Sequence, residues 1–464
     1  MILYNAKIYN NSLLREGAIH IENEIIKSIH FDISEKQMEY LISENDDGKE
    51  IDCQNKIILP GIIDIHAHLR DLNQSYKETF STGTKAAAIS GITTIFDMPN
   101  TDPPANTFET VKEWMDKAKQ NIHVDVGFIS GLPNRLNEEE IKKIVDLGVI
   151  GFKIYPHDPL TDLDWKISGN FRLLLNLSSR YQIPIFIHPE WPLSKEEKEE
   201  IFEDYIFRKS NLLKIHDELN PCKSETRFVK FAIENYQDFI EINHLEQKEY
   251  PIIHFCHISC KESYSLIKLA LKENSHPHIS YEVTPHHLLL SNDIVLSNPA
   301  IAKVLPPLRD KTHPDFLFKE FISGNLILIG TDHAPHSLDE KSREFFDAPS
   351  GFPSLETYPL VILHKVNKFQ VSLENFIKVA CEGPANIFNL KGKGYIREGY
   401  DADLLIVDKT SEYQINPKKF KSKAKISPFE NYTTNIQIWK VFLRGKEIKQ
   451  NKKPFGKIIK REKL

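Results

Sequence analysis

Several short apolar runs in this chain end on residues that bind metals or move protons. In the run at 62–70 an extended backbone places alternate side chains on opposite faces. Asp64, His66, His68 and Arg70 therefore share one face, and two imidazoles at i and i+2 can reach a single metal ion. Other runs end at Lys153, His188, His257 and Asp332. Taken singly, each has an ordinary reading. A histidine near a strand end is more often hydrogen-bonded than ligating, Arg70 could form a surface ion pair, and Asn100 lies in a turn-forming PNTDPP segment. Taken together they are harder to dismiss. Polar residues ending five otherwise apolar strands are costly unless they compensate one another. Four imidazoles, a carboxylate and a lysine brought to one rim point to a metal centre.

Lys153 has two readings. It is either a lysine snorkelling from the rim or an amine held beside divalent cations. Repulsion there favours the neutral form, which can take up carbon dioxide to give an anionic carbamate able to bridge two ions.

These residues need strands that end together. Eight candidates run at 62–70, 93–99, 123–130, 151–156, 184–189, 252–259, 278–287 and 326–335, with amphipathic helical stretches between most of them. Such alternation predicts an α/β fold of the TIM-barrel type, (β/α)8, with chemistry at the C-terminal rim. Residues 59–390 would form the barrel. Residues 1–58 and 391–464 carry short alternating strands and would build one small β-sandwich from both ends. The charged stretch at 191–250 reads as a surface excursion.

The 464 residues are 41% hydrophobic and 27% charged, with a net charge of -6. That charge gives no reason to expect nucleic acid or an anionic membrane as partner. Lys452, Lys453, Lys457, Lys460, Arg461 and Lys463 read as a solvated tail. No stretch is apolar enough to span a bilayer and no signal pattern opens the chain, so a cytoplasmic protein is expected. Cys53, Cys222, Cys256, Cys260 and Cys381 form no paired framework. Cys256 is expected to point away from His257, and both Cys256 and Cys260 to be small buried apolar residues; Cys222 and Cys381 carry no signal.

The motifs DIHAHLR (64–70), DMPNT (97–101), GFKIY (151–155), HPE (188–190), HFCHIS (254–259), EVTPHH (282–287) and TDHAPH (331–336) resemble, in order, those of the dihydroorotases. GPANIF (383–388) and GYDADL (399–404) resemble the wider amidohydrolase superfamily. The resemblance implies reversible cyclisation of N-carbamoyl-L-aspartate to L-dihydroorotate in pyrimidine biosynthesis. It also implies two zinc ions, or other divalent metals, bridged by hydroxide and by a carboxylated Lys153. His66, His68 and Asp332 would hold one ion, and His188 and His257 the other, with Asp332 the general acid and base. Arg70, Asn100 and His336 would hold the substrate carboxylate, with His68, Ser350 and Gly351 as further substrate contacts. The partner is then a small molecule. A homodimer or homotetramer and an association with aspartate carbamoyltransferase fit the resemblance, and the sequence decides none of them. Two departures touch substrate binding: Leu305 stands where KVNPPLR-type relatives carry Asn, and Asp71-Leu72-Asn73 where E-P-G is common. The rival readings are a hydantoinase/dihydropyrimidinase or allantoinase, whose substrates lack the carboxylate, and a non-catalytic scaffold, which damaged metal ligands would mark.

Overall fold

A computed structural model describes residues 1–43, 48–208, 211–274, 278–448 and 453–461. Five strands come first: β1 (Ile2–Asn10), β2 (Leu13–Glu22), β3 (Ile25–Phe31), β4 (Glu50–Asp52) and β5 (Ile57–Pro60). Eight parallel strands follow: β6 (Ile62–Ala67), β7 (Ile92–Asp97), β8 (Asp125–Ser130), β9 (Gly151–Ile154), β10 (Pro184–Ile187), β11 (Ile252–Phe255), β12 (Ile279–Val283) and β13 (Leu328–Ile329). The chain ends with β14 (Leu404–Gln414), β15 (Thr433–Leu443), β16 (Lys446–Glu447) and β17 (Ile458–Ile459).

The strands from β6 to β13 pair in sequence order, and helices alternate with them, as the strand–helix pattern predicts. Their residues are buried on both faces, as a wall between a filled interior and a helical layer requires. β6 and β13 are not neighbours in a ladder. The ring is joined there by an isolated bridge between Ala67 and His333 and by Asp64, whose carboxylate accepts from Thr331 N at 2.8 Å and Thr331 Oγ1 at 2.6 Å. That carboxylate ties the first strand to the loop that carries Asp332.

The two ends of the chain meet in one sheet of order β16-β15-β14-β5-β1-β2-β3, with β4 beside β1. The alternation in β1 is plain: Leu3, Ala6 and Ile8 are buried, Asn5 and Lys7 exposed. An irregularity at Asn5 (φ 52°) lets β1 pair with β4 through residues 2–4 and with β5 through residues 7–8. The expected sandwich is thus hydrogen-bonded as a continuous sheet with its own core of Leu3, Ile8, Ile19, Ile26, Leu404 and Phe442.

Two expectations are corrected. The stretch at 191–250 is not all surface excursion: helix Cys222–Ile242 buries Phe228, Val229, Ala232, Tyr236 and Phe239, a helical period that packs it into the barrel's outer layer. The basic tail is not simply solvated. β17 pairs in parallel with β8, Val126 N donates to Lys457 O at 3.0 Å, and Arg461 N donates to Gly148 O at 3.1 Å. The buried Asp125 carboxylate draws it in by accepting from Lys457 N at 2.8 Å and from Arg444. Lys452 and Lys463 lie outside the described residues. Among the described residues no helix is long and apolar enough to cross a membrane.

Candidate active site and metal centre

The strands stop just short of most of the residues they present. β6 ends before His68 and Arg70, β10 before His188, β11 before His257 and β13 before Asp332; His66 and Lys153 lie within β6 and β9. Arg70 (φ 60°), His257 (φ 37°) and Asp332 (φ 47°) are left-handed, a conformation that costs non-glycine residues energy and gathers at functional sites. These turns break the alternation of faces. Arg70 therefore does not share a strand face with His66 and His68, yet it lines the same cavity. The turn at His257 likewise brings Cys256 into the barrel, against expectation. Its sulfur accepts from Lys153 Nζ at 2.8 Å and can lie within 4.8 Å of ligand atoms of His66 and Glu282.

The cavity at the strand ends measures about 180 Å³ and is lined by His66, His68, Arg70, Asn100, His188, His257, Leu305, Asp332, Ser350 and Gly351, among others. Lys153 lies at its floor and His336 behind Arg70; neither lines it. Asp332 Oδ1 stands 3.4 Å from His66 Nε2 and 3.2 Å from His68 Nε2. The far nitrogens are tied: His66 Nδ1 to Glu282, His68 Nδ1 to Asn100 Oδ1 at 2.5 Å and His188 Nε2 to Glu190 at 3.0 Å. Fixing one nitrogen so that the other faces a common point is how metal-binding histidines are oriented. The His188 and His257 rings lie 4.5 Å apart and those of His66 and His257 5.1 Å. His257 Nδ1 is buried with no hydrogen-bond partner.

The electrostatics agree with that geometry. Burial and the neighbouring Lys153 push His188 well below the ordinary imidazole range, and burial with His188 does the same for His257. Both are held neutral, the ligating form. Burial raises Asp332, but His66 and the hydrogen bond with His68 outweigh it, and the carboxyl stays well below the usual range. Burial opposes the charge on His66, yet Glu282 drives that imidazole up to about 10. An ionised carboxylate beside converging imidazoles, one of them with an orphaned nitrogen, fits a divalent cation. Lys153 sits among these rings, its charge acting on His66, His188 and His257 alike.

At the cavity wall, Arg70 is 6% exposed. Its Nη2 donates to His336 Nε2 at 3.3 Å, its Nε has no partner, and no carboxylate forms an ion pair with it among the described residues. His336 is kept neutral by burial and by the charges of Arg70 and Lys77. Asn100 spends its oxygen on His68, which leaves its amide N–H groups for a ligand. Gly351 (φ 120°) lines the cavity, but its N–H donates to Lys303 O at 2.8 Å; its carbonyl is what it can offer. A Cβ there would meet Ala334 O at 2.5 Å. Leu305 lines the wall as an apolar side chain.

Sequence reasoning passed over several residues here. Tyr155 lines the cavity with a buried hydroxyl that has no partner. His157 lines it too, its ring 4.1 Å from that of His188. Glu282 and Glu190 orient histidines. Glu282 had a signal, a carboxylate within the apolar strand ISYEV. His157 had none, since it follows β9 in an irregular segment.

Residues 57–448 match the amidohydrolase family. A dihydroorotase of Methanosphaera stadtmanae is 34% identical over 438 residues, covering 93% of this chain and 92% of the relative. One of Pyrococcus horikoshii is 34% identical over 408 residues, covering 87% and 84%. Among solved structures, an L-hydantoinase (dihydropyrimidinase) from Arthrobacter aurescens superposes with a TM-score of 0.86 at 24% identity, covering 99% of each chain. A dihydropyrimidinase from Brevibacillus agri gives 0.83 at 22%, covering 100% of this chain and 99% of the other. Likeness at that identity bears on the fold.

Proposed function

The chain belongs to the amidohydrolase family, and within it to the dihydroorotases; from that premise we propose that its barrel mouth closes N-carbamoyl-L-aspartate to L-dihydroorotate and opens the ring again. The observation that carries the substrate is Arg70: a buried guanidinium at the cavity wall, without a carboxylate partner, beside the free amide of Asn100. A carboxylate on the ring supplies the missing counter-charge. Hydantoin, dihydrouracil and allantoin lack it.

His66, His68 and Asp332 would hold one divalent ion, zinc by ligand type, His188 and His257 a second, and a carboxylated Lys153 would bridge them. When bound, two such ions supply a Lewis acid for the ring carbonyl and water made nucleophilic near neutral pH. Asp332 accepts a proton from the attacking water at a carboxylate oxygen and returns it to the leaving ring nitrogen. Its lowered pKa keeps it ionised, the form that can accept a proton. Ring closure uses the same groups in reverse order, as microscopic reversibility requires. Arg70 fixes the substrate carboxylate and is itself oriented by His336, while Asn100 both orients His68 and offers its amide. A homodimer or homotetramer, an association with aspartate carbamoyltransferase and a cytoplasmic location accompany this reading.

Metal analysis of protein purified without chelator tests the centre. At least two divalent ions per active chain are expected, and activity should fall on chelation and return with zinc. Fully active protein with well under one ion per chain would overturn the reading.

A further inference from the structure

Outside the cavity lining, two cysteines and a histidine that the reaction does not use stand together at the starts of three helices. Cys222 is the first residue of helix Cys222–Ile242, Cys260 immediately precedes helix Lys261–Asn274, and His313 lies in the first turn of helix Thr312–Ile322. One ligand atom from each lies within 4.8 Å of the others. Glu262 borders the group through two of its members, its Oε2 accepting from Cys222 Sγ at 3.1 Å and standing 3.6 Å from His313 Nδ1. We propose that Cys222, Cys260, His313 and Glu262 form a separate, structural metal site for a thiolate-preferring divalent ion such as zinc, fastening helix Cys222–Ile242 to the turn that carries His257.

The geometry is close to what such an ion needs. Zinc–sulfur and zinc–nitrogen bonds of about 2.3 and 2.0–2.1 Å give a tetrahedron with edges of about 3.4–3.8 Å. The two contacts to Glu262, 3.1 and 3.6 Å, lie close to that range, and the Cys222, Cys260 and His313 atoms, within 4.8 Å of one another, need to contract by no more than about 1.4 Å. Two sulfurs and an imidazole select zinc over magnesium or calcium, and four protein ligands leave no open position, the mark of a structural site. In the ion-free arrangement Lys261 N donates to His313 Nδ1 across 3.3 Å, a long contact that an ion would replace.

The frame is assembled without the ion. Glu225, in the first turn of the helix that Cys222 opens, accepts from Ser259 N and Cys260 N, both at 3.2 Å. Arg309 holds that frame from the other side, pairing with Asp217 at 2.7 Å and Glu225 at 3.6 Å. The two cysteines therefore belong to segments already fixed to each other. Three helix N-termini converge on the ligands and favour the anionic thiolates a metal requires. Burial and the neighbouring Cys222 push the Cys260 thiol well above its ordinary range, so ion uptake displaces the Cys260 proton. The site lies just beyond His257 in the chain, so occupying it would stiffen the turn on which that histidine depends.

The test uses the full-length, reduced protein, stripped of metal and reloaded with cobalt(II). Thiolate ligation gives a sulfur-to-cobalt charge-transfer band in the near ultraviolet that an all-imidazole and carboxylate centre does not. The band is expected in wild type and should vanish in Cys222→Ser with loss of about one cobalt equivalent per chain. In His313→Gln the affinity at this site should weaken ~10-fold or more. Cys256→Ser separates this site from the barrel floor, and the band should remain in that variant. Cys222 is partly exposed at a helix start, so Ser there should leave the thermal unfolding of the ion-free protein unchanged. The proposal is overturned if reduced wild type shows no band, if the band survives Cys222→Ser, if only Cys256→Ser removes it, or if Cys222 and Cys260 oxidise to a disulfide in protein that binds no cobalt in the reduced state.

Discussion

Replacing Arg70 with methionine separates recognition from structure. The guanidinium is buried, burial pushes it below its ordinary range, and among the described residues its hydrogen-bond partner is the neutral His336. A buried cation without a counter-ion is an unfavourable arrangement that a folded protein keeps only for a purpose. If the purpose is the substrate carboxylate, Arg70→Met removes a charge-assisted contact of about 1.5–3 kcal/mol. At tenfold per 1.4 kcal/mol, kcat/KM for dihydroorotate should fall roughly 10- to 150-fold. Dihydrouracil, the same ring without the carboxylate, should show no comparable loss. Methionine fills similar volume and carries no charge, so the free protein should stay within about 1 kcal/mol of wild type or become more stable, the only new deficit being an unpaired His336 nitrogen. Steady-state kinetics on both rings and urea unfolding of the free enzyme read out the two halves. Equal losses on the two rings, or a stability loss of several kcal/mol, would show that Arg70 is a structural residue and refute the reasoning.

Asp332→Asn should lower turnover by at least ~10²–10⁴, the usual range for general acid–base catalysis, and more if metal binding also suffers; near-normal turnover in steady-state assays would remove Asp332 from the mechanism. Lys153 should carry a carbamate in the fully metallated enzyme, visible as added density at Nζ in a well-resolved crystal structure, and a bare amine in active protein would contradict it. Leu305→Asn should change kcat/KM for dihydroorotate by no more than about tenfold, since one neutral hydrogen bond contributes about 0.5–1.5 kcal/mol; a larger gain would mean that the apolar wall tunes this pocket to another ring.

The barrel was legible because each strand is an apolar run bounded by a helical pattern, and the cavity was legible because those runs end on His66, His188, His257 and Asp332. What period-two reasoning misjudged lies just past the strand ends. Once His257 and Arg70 adopt positive φ, face parity no longer says where Cys256 or Arg70 points; Arg70 reached the cavity by a turn rather than by strand alternation. Tyr155 and His157 escaped for a related reason, since irregular backbone has no period to read. The Cys222, Cys260 and His313 cluster is assembled from three helix starts far apart in the chain, and no local spacing announces it. The tail at 457–461 reads as solvated because its lysines are plentiful, whereas pairing with β8 satisfies its backbone and leaves those charges outside.

That the pocket takes a ring bearing a carboxylate is tested most directly by kcat/KM of the purified, zinc-loaded protein on dihydroorotate, dihydrouracil, hydantoin and allantoin under one set of conditions. Dihydroorotate should be preferred by at least the roughly 10- to 150-fold that the Arg70 contact supplies. Turnover of an uncharged ring at an equal or higher kcat/KM, with both metals bound, would contradict it.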